Sequence, residues 1–371
     1  MKKSGLKITR IEIASCRLPL ERPVLLGSVR IETRDYVCLR LITNGDIEGF
    51  AIGYRSGSQV FESLQALAPR LIGQDPLMRQ AFNVECENAY VPARGSYVRA
   101  LSLIDIALWD IAAKASEQPL YLLLGGLRTE VPAIPILGFS YRDRPRAEIE
   151  EEIDRHVGNG ENFVKVMIKG SDSIENARYI EGLLGRFHAH ASLAVDTHWS
   201  WRTISDALHT CRRIDDLGAA FIEDPFLPQQ WELIAELRSK LKTPLAAGED
   251  ILDPYSFSHL VRSVDVLRVD ATGSGGISAA MGALALASAH GKSVLPHVFP
   301  YLHLHLACAH RSIMAVEYIP EHTGTDPVRT LLRVFPVIDK GLFQVSDAPG
   351  AGCDLKWDVV GNTASGAAAF D

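Results

Sequence analysis

Three short apolar runs, each ending in an acid, constrain the fold of this chain more than any other feature. Leu193-Ala194-Val195 leads into Asp196, Ala219-Ala220-Phe221-Ile222 into Glu223, and Pro244-Leu245-Ala246-Ala247-Gly248 into Glu249, so the acids recur at intervals of 27 and 26 residues. Between the runs, residues 205–217 and 231–241 have the apolar spacing of amphipathic helices. Strand, helix, strand at that period is the mark of parallel βα units. In a closed barrel every strand opens its C-terminal end on one face, so three carboxylates at adjacent strand ends share a small volume. They repel one another unless a cation lies between them, and hard oxygen ligands suit Mg²⁺. A single acid at a strand end is usually solvated; three in step point to a metal.

The chain has 371 residues, enough for a barrel and a second domain. A net charge of −7 without a long basic run argues against nucleic acid as a partner. Six scattered cysteines with no Cys-x-x-Cys fit reduced thiols in a cytoplasmic protein. The first 20 residues lack the apolar core of a signal peptide, and the run at 277–289 is too short to span a membrane. The expected partners are a small-molecule carboxylate and further copies of the chain, with no membrane.

In order along the chain, residues 6–13 and 36–42 read as strands, and Gly45 and Gly49 mark a hairpin turn. Helical patterns follow at 61–71, 76–88 and 99–116, the last carrying Asp105 and Asp110 as surface or interface acids. Residues 20–28 and 53–58 read as loops able to close over a ligand. Residues 1–126 therefore form an α+β capping domain. Eight candidate strands alternate with helices from 127 to 328, near 133–138, 163–168, 193–195, 219–222, 244–247, 265–269, 293–296 and 313–317. Eight is the number that a closed parallel barrel requires. Residues 329–371 form a tail that returns to the cap.

Further strand-end residues stand out: Lys165 on the second barrel strand, His198 two residues after Asp196, Asp270 before Gly273-Ser274-Gly275-Gly276, His297 and Glu317. Each alone has a structural explanation, as a capping, solvated or hydrogen-bonded residue. Together they suit proton removal next to a carboxylate, because a histidine beside an acid is held in one tautomer and its cation is stabilised. His303, His305 and His310 match no zinc spacing and read as helix or interface residues.

Across nearly its whole length the chain resembles the enolase superfamily, and within it the mandelate racemase subgroup. The resemblance rests on Ala107-Leu108-Trp109-Asp110, Pro119, Leu123-Leu124-Gly125-Gly126, the run from Asp196 to Trp201, Ile222-Glu223-Asp224-Pro225, Ala247-Gly248-Glu249, Asp270 with Gly275-Gly276, and Pro296-His297. It implies a modified TIM barrel, (β/α)7β, under an α+β cap. It also implies Mg²⁺ on Asp196, Glu223 and Glu249, with His297 and Asp270 as the general-base pair. Lys165 and Glu317 then flank the substrate carboxylate. Muconate-lactonising and dipeptide-epimerase relatives have a lysine at the place of Asp270, so the aspartate argues against those activities.

Two departures bear on the reaction. The subgroup's second strand reads Lys-x-Lys, with the second lysine a base; here it reads Lys165-Val166-Met167-Ile168-Lys169, and Met167 takes no proton. Many members have Asn at the place of His198, whereas sugar-acid dehydratases have His as a candidate acid for the leaving hydroxyl; the alternative is that His198 orients Asp196. The expectation is a Mg²⁺-dependent dehydratase of a sugar acid or other α-hydroxy acid. The alternatives are a racemase or epimerase using Lys169, or a ligand-binding barrel with a decayed site. Arg22, Tyr54 and Arg55 are available for specificity but unassigned.

Overall fold

A computed structural model describes residues 5–26, 29–87, 94–168 and 173–371. Strands β1 (Ile8–Leu26), β2 (Val29–Thr43) and β3 (Glu48–Tyr54) form an antiparallel meander. Helices α1 (Val60–Leu71), α2 (Arg79–Glu87), α3 (Arg94–Ala115) and the single turn α4 (Leu120–Leu123) follow. The segment expected as a loop at 20–28 is strand through Leu26, pairing Val24 with Ile31 and Leu25 with Arg30. The loop expectation rests on the Pro, Gly, Arg and Ser content of 20–28, with Pro23 inside it. The register shifts between Pro19 and Val24, which accommodates the lost donors at an irregularity.

Helix α3 lies against β3, and Gly49 permits the approach: a Cβ there would meet the Ala107 carbonyl oxygen at 2.2 Å. The two buried acids of α3 are ties between parts of the fold. Asp110 accepts the amides of Phe50 at 3.0 Å and Ala351 at 2.7 Å. Asp105 accepts from the amide and hydroxyl of Ser278, across to the barrel's outer helices.

The barrel opens with β4 (Glu130–Leu137), α5 (Arg146–Gly158), β5 (Phe163–Met167), α6 (Ser173–Phe187) and β6 (Ser192–Asp196). It continues through α7 (Ile204–Ile214), β7 (Ile222–Glu223), α8 (Trp231–Arg238), β8 (Leu245–Ala247) and α9 (Phe257–Ser263). It ends with β9 (Val266–Val269), α10 (Gly276–Ala289), β10 (Ser293–Pro296), α11 (Pro300–Ala309) and β11 (Val316–Tyr318). Neighbouring strands from β4 to β10 pair in parallel. β11 pairs with β4, and a parallel bridge from Val294 to Ile313 closes the ring. The architecture is (β/α)7β under an antiparallel cap sheet. Thr203 starts α7 by accepting the Asp206 amide at 3.2 Å, a cap worth about 1 kcal/mol.

In the tail, β12 (Val337–Asp339) and β13 (Leu342–Gln344) form a hairpin that adds antiparallel to β4. Beyond it, α12 (Trp357–Thr363) leads to β14 (Ala364–Phe370), which pairs with β1 as an edge strand of the cap sheet. No described helix is long and apolar enough to cross a membrane.

Candidate active site

Side chains two residues apart on a strand share a face, and that parity sorts the barrel interior into layers. The lowest is an apolar plug of Ile134, Ala194, Phe221, Ala246, Val266, Leu295 and Ala315. Burying each larger side chain of the plug stabilises the barrel by about 1.5–3 kcal/mol. Two residues further along the same strands come Asp196, Glu223, Arg268, His297 and Glu317, with Lys165 two after Phe163. One more step reaches Met167 and Asp270, which line a cavity of about 290 Å³ at the C-terminal strand ends.

The middle layer is a lattice of charge. Lys165 Nζ lies 2.7 Å from Glu223, 2.9 Å from Glu317 and 3.4 Å from Asp196. Arg268, fully buried, lies 3.2 Å from Glu223 and 2.8 Å from Glu249, and also pairs with Glu317. Burial alone would strip the proton from Lys165; Glu223 and Glu317 outweigh it and raise its pKa. Burial would likewise raise Glu317, but Arg268 and Lys165 hold its pKa below the usual carboxylate range.

The three predicted metal ligands thus end adjacent strands, each within reach of one of two cations. Among the described residues, ligand atoms converge within 4.8 Å in two overlapping sets, His198, Asp224 and Glu249, and Glu249, His297 and Glu317, and neither includes Asp196 or Glu223. Glu249 is common to both. Glu223 Oε2 and both Asp224 carboxylate oxygens are buried without a hydrogen-bond partner. Buried, unsatisfied carboxylate oxygens beside further acids fit a hard divalent cation better than they fit an empty interior.

His297 faces this group. Its Nδ1 lies 3.0 Å from Asp270 Oδ2 and its Nε2 3.7 Å from Glu249 Oε1. The other Asp270 oxygen accepts the Thr272 amide and hydroxyl, both at 2.7 Å. Burial raises the Asp270 pKa, but the bond to His297 outweighs it and leaves the carboxylate ionised. Nδ1 therefore carries the proton and Nε2 looks into the cavity. Burial lowers the imidazole pKa; Glu249 and Asp270 outweigh it and push it up to about 9, so Nε2 is free to accept a proton above that pH or where a cation offsets the charge of Glu249.

His198 donates its backbone amide to Asp196 Oδ1 at 3.0 Å, and its ring stacks on Trp199 with centroids 4.1 Å apart. Across from His297, the β5 side of the cavity presents Met167, Ile136 and Phe139. Lys169 lies outside the described residues. Tyr54 roofs the cavity, 6.3 Å from the His297 ring, and its hydroxyl bonds Asp326 at 2.8 Å. Arg55 instead bonds Ser15 and Glu62, and Arg22 lines a neighbouring cavity.

Backbone strain gathers at this face. His198, Trp199, Asp224, Val298 and Phe299 all have φ between +38° and +59°. Such residues cost about 1–3 kcal/mol each and persist where surrounding contacts over-determine them. Trp199 donates to the Asp224 carbonyl at 2.7 Å, and Thr197 Oγ1 to the carbonyls of Glu223 and Asp224 at 2.9 and 3.0 Å.

The sequence reading missed Arg268 and Asp224, and also Arg34 and Arg99, which line the cavity. Arg268 had a signal, because it precedes Asp270 by two and must share its face. Asp224 had none: strict alternation would turn it away from Glu223, and only its left-handed φ of +45° changes its direction.

Comparison with known proteins agrees with this fold. Residues 148–359 match the family model described as enolase C-terminal domain-like. Residues 8–125 match the mandelate racemase / muconate lactonizing enzyme N-terminal domain. The chain is 28% identical over 321 residues to L-talarate/galactarate dehydratase of Salmonella typhimurium, covering 83% of this chain and 80% of that protein. It is 24% identical over 374 residues to N-succinyl-L-Arg/Lys racemase of Bacillus cereus, covering 96% and 97%. The crystal structure of L-talarate dehydratase from Polaromonas sp. JS666 complexed with Mg and L-glucarate superimposes with a TM-score of 0.87 at 25% identity, covering 99% of both chains.

Proposed function

Given that the chain belongs to the mandelate racemase / muconate lactonizing enzyme family of the enolase superfamily, we propose that it is a Mg²⁺-dependent dehydratase of a sugar acid or related α-hydroxy acid. The observation that carries this reading is the asymmetry of the cavity: His297, fixed by Asp270, on one wall and the thioether of Met167 on the other. Asp196, Glu223 and Glu249 would hold the Mg²⁺, which when bound neutralises negative charge building on the substrate carboxylate.

The chain's own residues do the rest. The Lys165 ammonium offsets the substrate carboxylate, and Glu317, ionised between Lys165 and Arg268, keeps that ammonium in line. His297 Nε2 takes the α-proton, and the C–H electron pair moves into the carboxylate. The pair then returns to form the C2–C3 double bond as the β-hydroxyl leaves. The leaving hydroxyl collects a proton from the His297 imidazolium or from His198 and departs as water. The resulting enol tautomerises to a 2-keto-3-deoxy acid.

The dehydratase among the relatives supports this reading, while the racemase among them keeps proton transfer on two faces in view. Two-face transfer needs a second acceptor; on the described part of β5 the cavity is lined by the Met167 thioether and by Lys165, whose ammonium is held by Glu223 and Glu317. A panel of mono- and diacid sugars with Mg²⁺, assayed for keto-acid product, tests the proposal. Keto acid from one member or a related group is expected; an epimer formed without loss of water contradicts it.

A further inference from the structure

Val298 and Phe299 follow His297 directly and lie in the left-handed region, at φ +38° and +45°. For a β-branched residue such as Val298 that conformation is an outlier, so neighbouring groups must hold the turn. Glu317 Oε1 accepts the Val298 amide at 3.0 Å, and His303 Nδ1 donates to the Val298 carbonyl at 2.6 Å. The opposite nitrogen of the same ring, His303 Nε2, accepts the Ala271 amide at 3.1 Å.

Ala271 is the residue after Asp270, as Val298 is the residue after His297. One imidazole therefore joins the backbones that carry the two members of the base pair. A carbonyl can only accept and an amide can only donate, so the ring is neutral with its proton on Nδ1. His303 is fully buried, and it stands one turn into α11, whose ladder fixes its own backbone. Nothing in its sequence spacing marks this role.

We propose that His303 is a positioning residue for the His297–Asp270 pair, setting their separation and angle by tying Val298 to Ala271 from the rigid start of α11. The proposal rests on the reading of His297 as the base. A ring that merely satisfied two buried backbone groups would affect stability when removed, and turnover only in proportion to the folded fraction.

The test compares His303→Ala and His303→Asn with the wild-type, Mg²⁺-loaded enzyme. Amide hydrogen exchange is followed at 270–272 and 297–299, Mg²⁺ affinity is measured by calorimetry, and kcat and KM are measured on the acid that the sugar panel selects. With His303→Ala, exchange quickens in both segments by about 10-fold or more, and kcat falls by about 10- to 100-fold. KM and Mg²⁺ affinity stay within about twofold of wild type, because positioning acts on the transition state. The Asn side chain keeps a donor near the place of Nδ1, so His303→Asn restores protection at 297–299, leaves 270–272 exposed, and recovers part of kcat.

Exchange confined to one segment in His303→Ala, or a kcat per folded molecule within about twofold of wild type, overturns the proposal. If His297→Asn itself leaves turnover unchanged, the fault lies with the assignment of the base. The exchange measurement then still decides whether His303 couples the two turns.

Discussion

The two walls of the cavity follow one strand period and carry opposite chemistry. On β9 and β10, Asp270 and His297 stand 3.0 Å apart in a fixed tautomer, backed by α11 with its buried His303. On β5, Met167 occupies a position of the same layer, beside Ile136 and Phe139. One wall carries an ionisable pair, and the other sets a thioether above the buried ammonium of Lys165. Beneath both lies a floor of charge in which Lys165 and Arg268 compensate Glu223, Glu249 and Glu317. On the proposed function, the difference teaches that the face from which a proton is taken depends on which wall carries an acceptor.

The contrast can be broken most strongly at His297. Replacing it by Asn keeps the ring's approximate volume but removes the proton acceptor, and kcat falls by about 10²- to 10⁴-fold. Mg²⁺ binding, read by calorimetry, is retained. The floor is tested next by Arg268→Met, which leaves Glu223, Glu249 and Glu317 short of a cation. Breaking a buried ionic cluster on one side costs about 3–5 kcal/mol, read by urea denaturation. A loss below about 1 kcal/mol means that these ion pairs are incidental.

A smaller effect is expected away from the cavity, where His305 of α11 turns towards α4 and accepts the Tyr121 amide. Burial lowers the pKa of His305 on α11 to about 4. The folded value lies below the unfolded value of about 6.5, so the unfolded chain binds the proton more readily. The stability held by the neutral ring is complete above about pH 6.5 and is lost as pH falls from 6.5 towards 4, by about 3 kcal/mol in all. His305→Phe flattens that segment of the curve of denaturation midpoint against pH. The smallest expected effect sharpens the other wall: Met167→Lys puts an amine in place of the thioether, at a stability cost of about 1–3 kcal/mol. NMR should then detect slow inversion at the α-carbon that the parent enzyme lacks.

The barrel and its strand-end acids were legible because they ride on a repeated period. Even β7, only two residues long, is marked by the acid at its end. The early strands were harder. Residues 20–28 resemble a loop in sequence, yet β1 continues through Leu26 because β2 supplies partners on either side of the register shift. Asp196, Glu223, Glu249, His297 and Glu317 stand out because each follows a short apolar run, whereas Asp270 is marked by the glycines that come after it. Arg268 was passed over because a long cation inside a four-residue strand suggests a surface, and only the floor's unbalanced acids explain its burial. His303 was set aside on spacing, since its partners are backbone groups from two other loops and leave no pattern in the sequence.

The account depends above all on proton removal from one face by His297. Its most direct test is proton NMR of the Mg²⁺-loaded enzyme acting in D₂O on the best acid of the panel. The account predicts 2-keto-3-deoxy acid labelled at C3, with the remaining substrate unchanged in configuration. Deuterium at the α-carbon with inversion, and no keto acid, would contradict it.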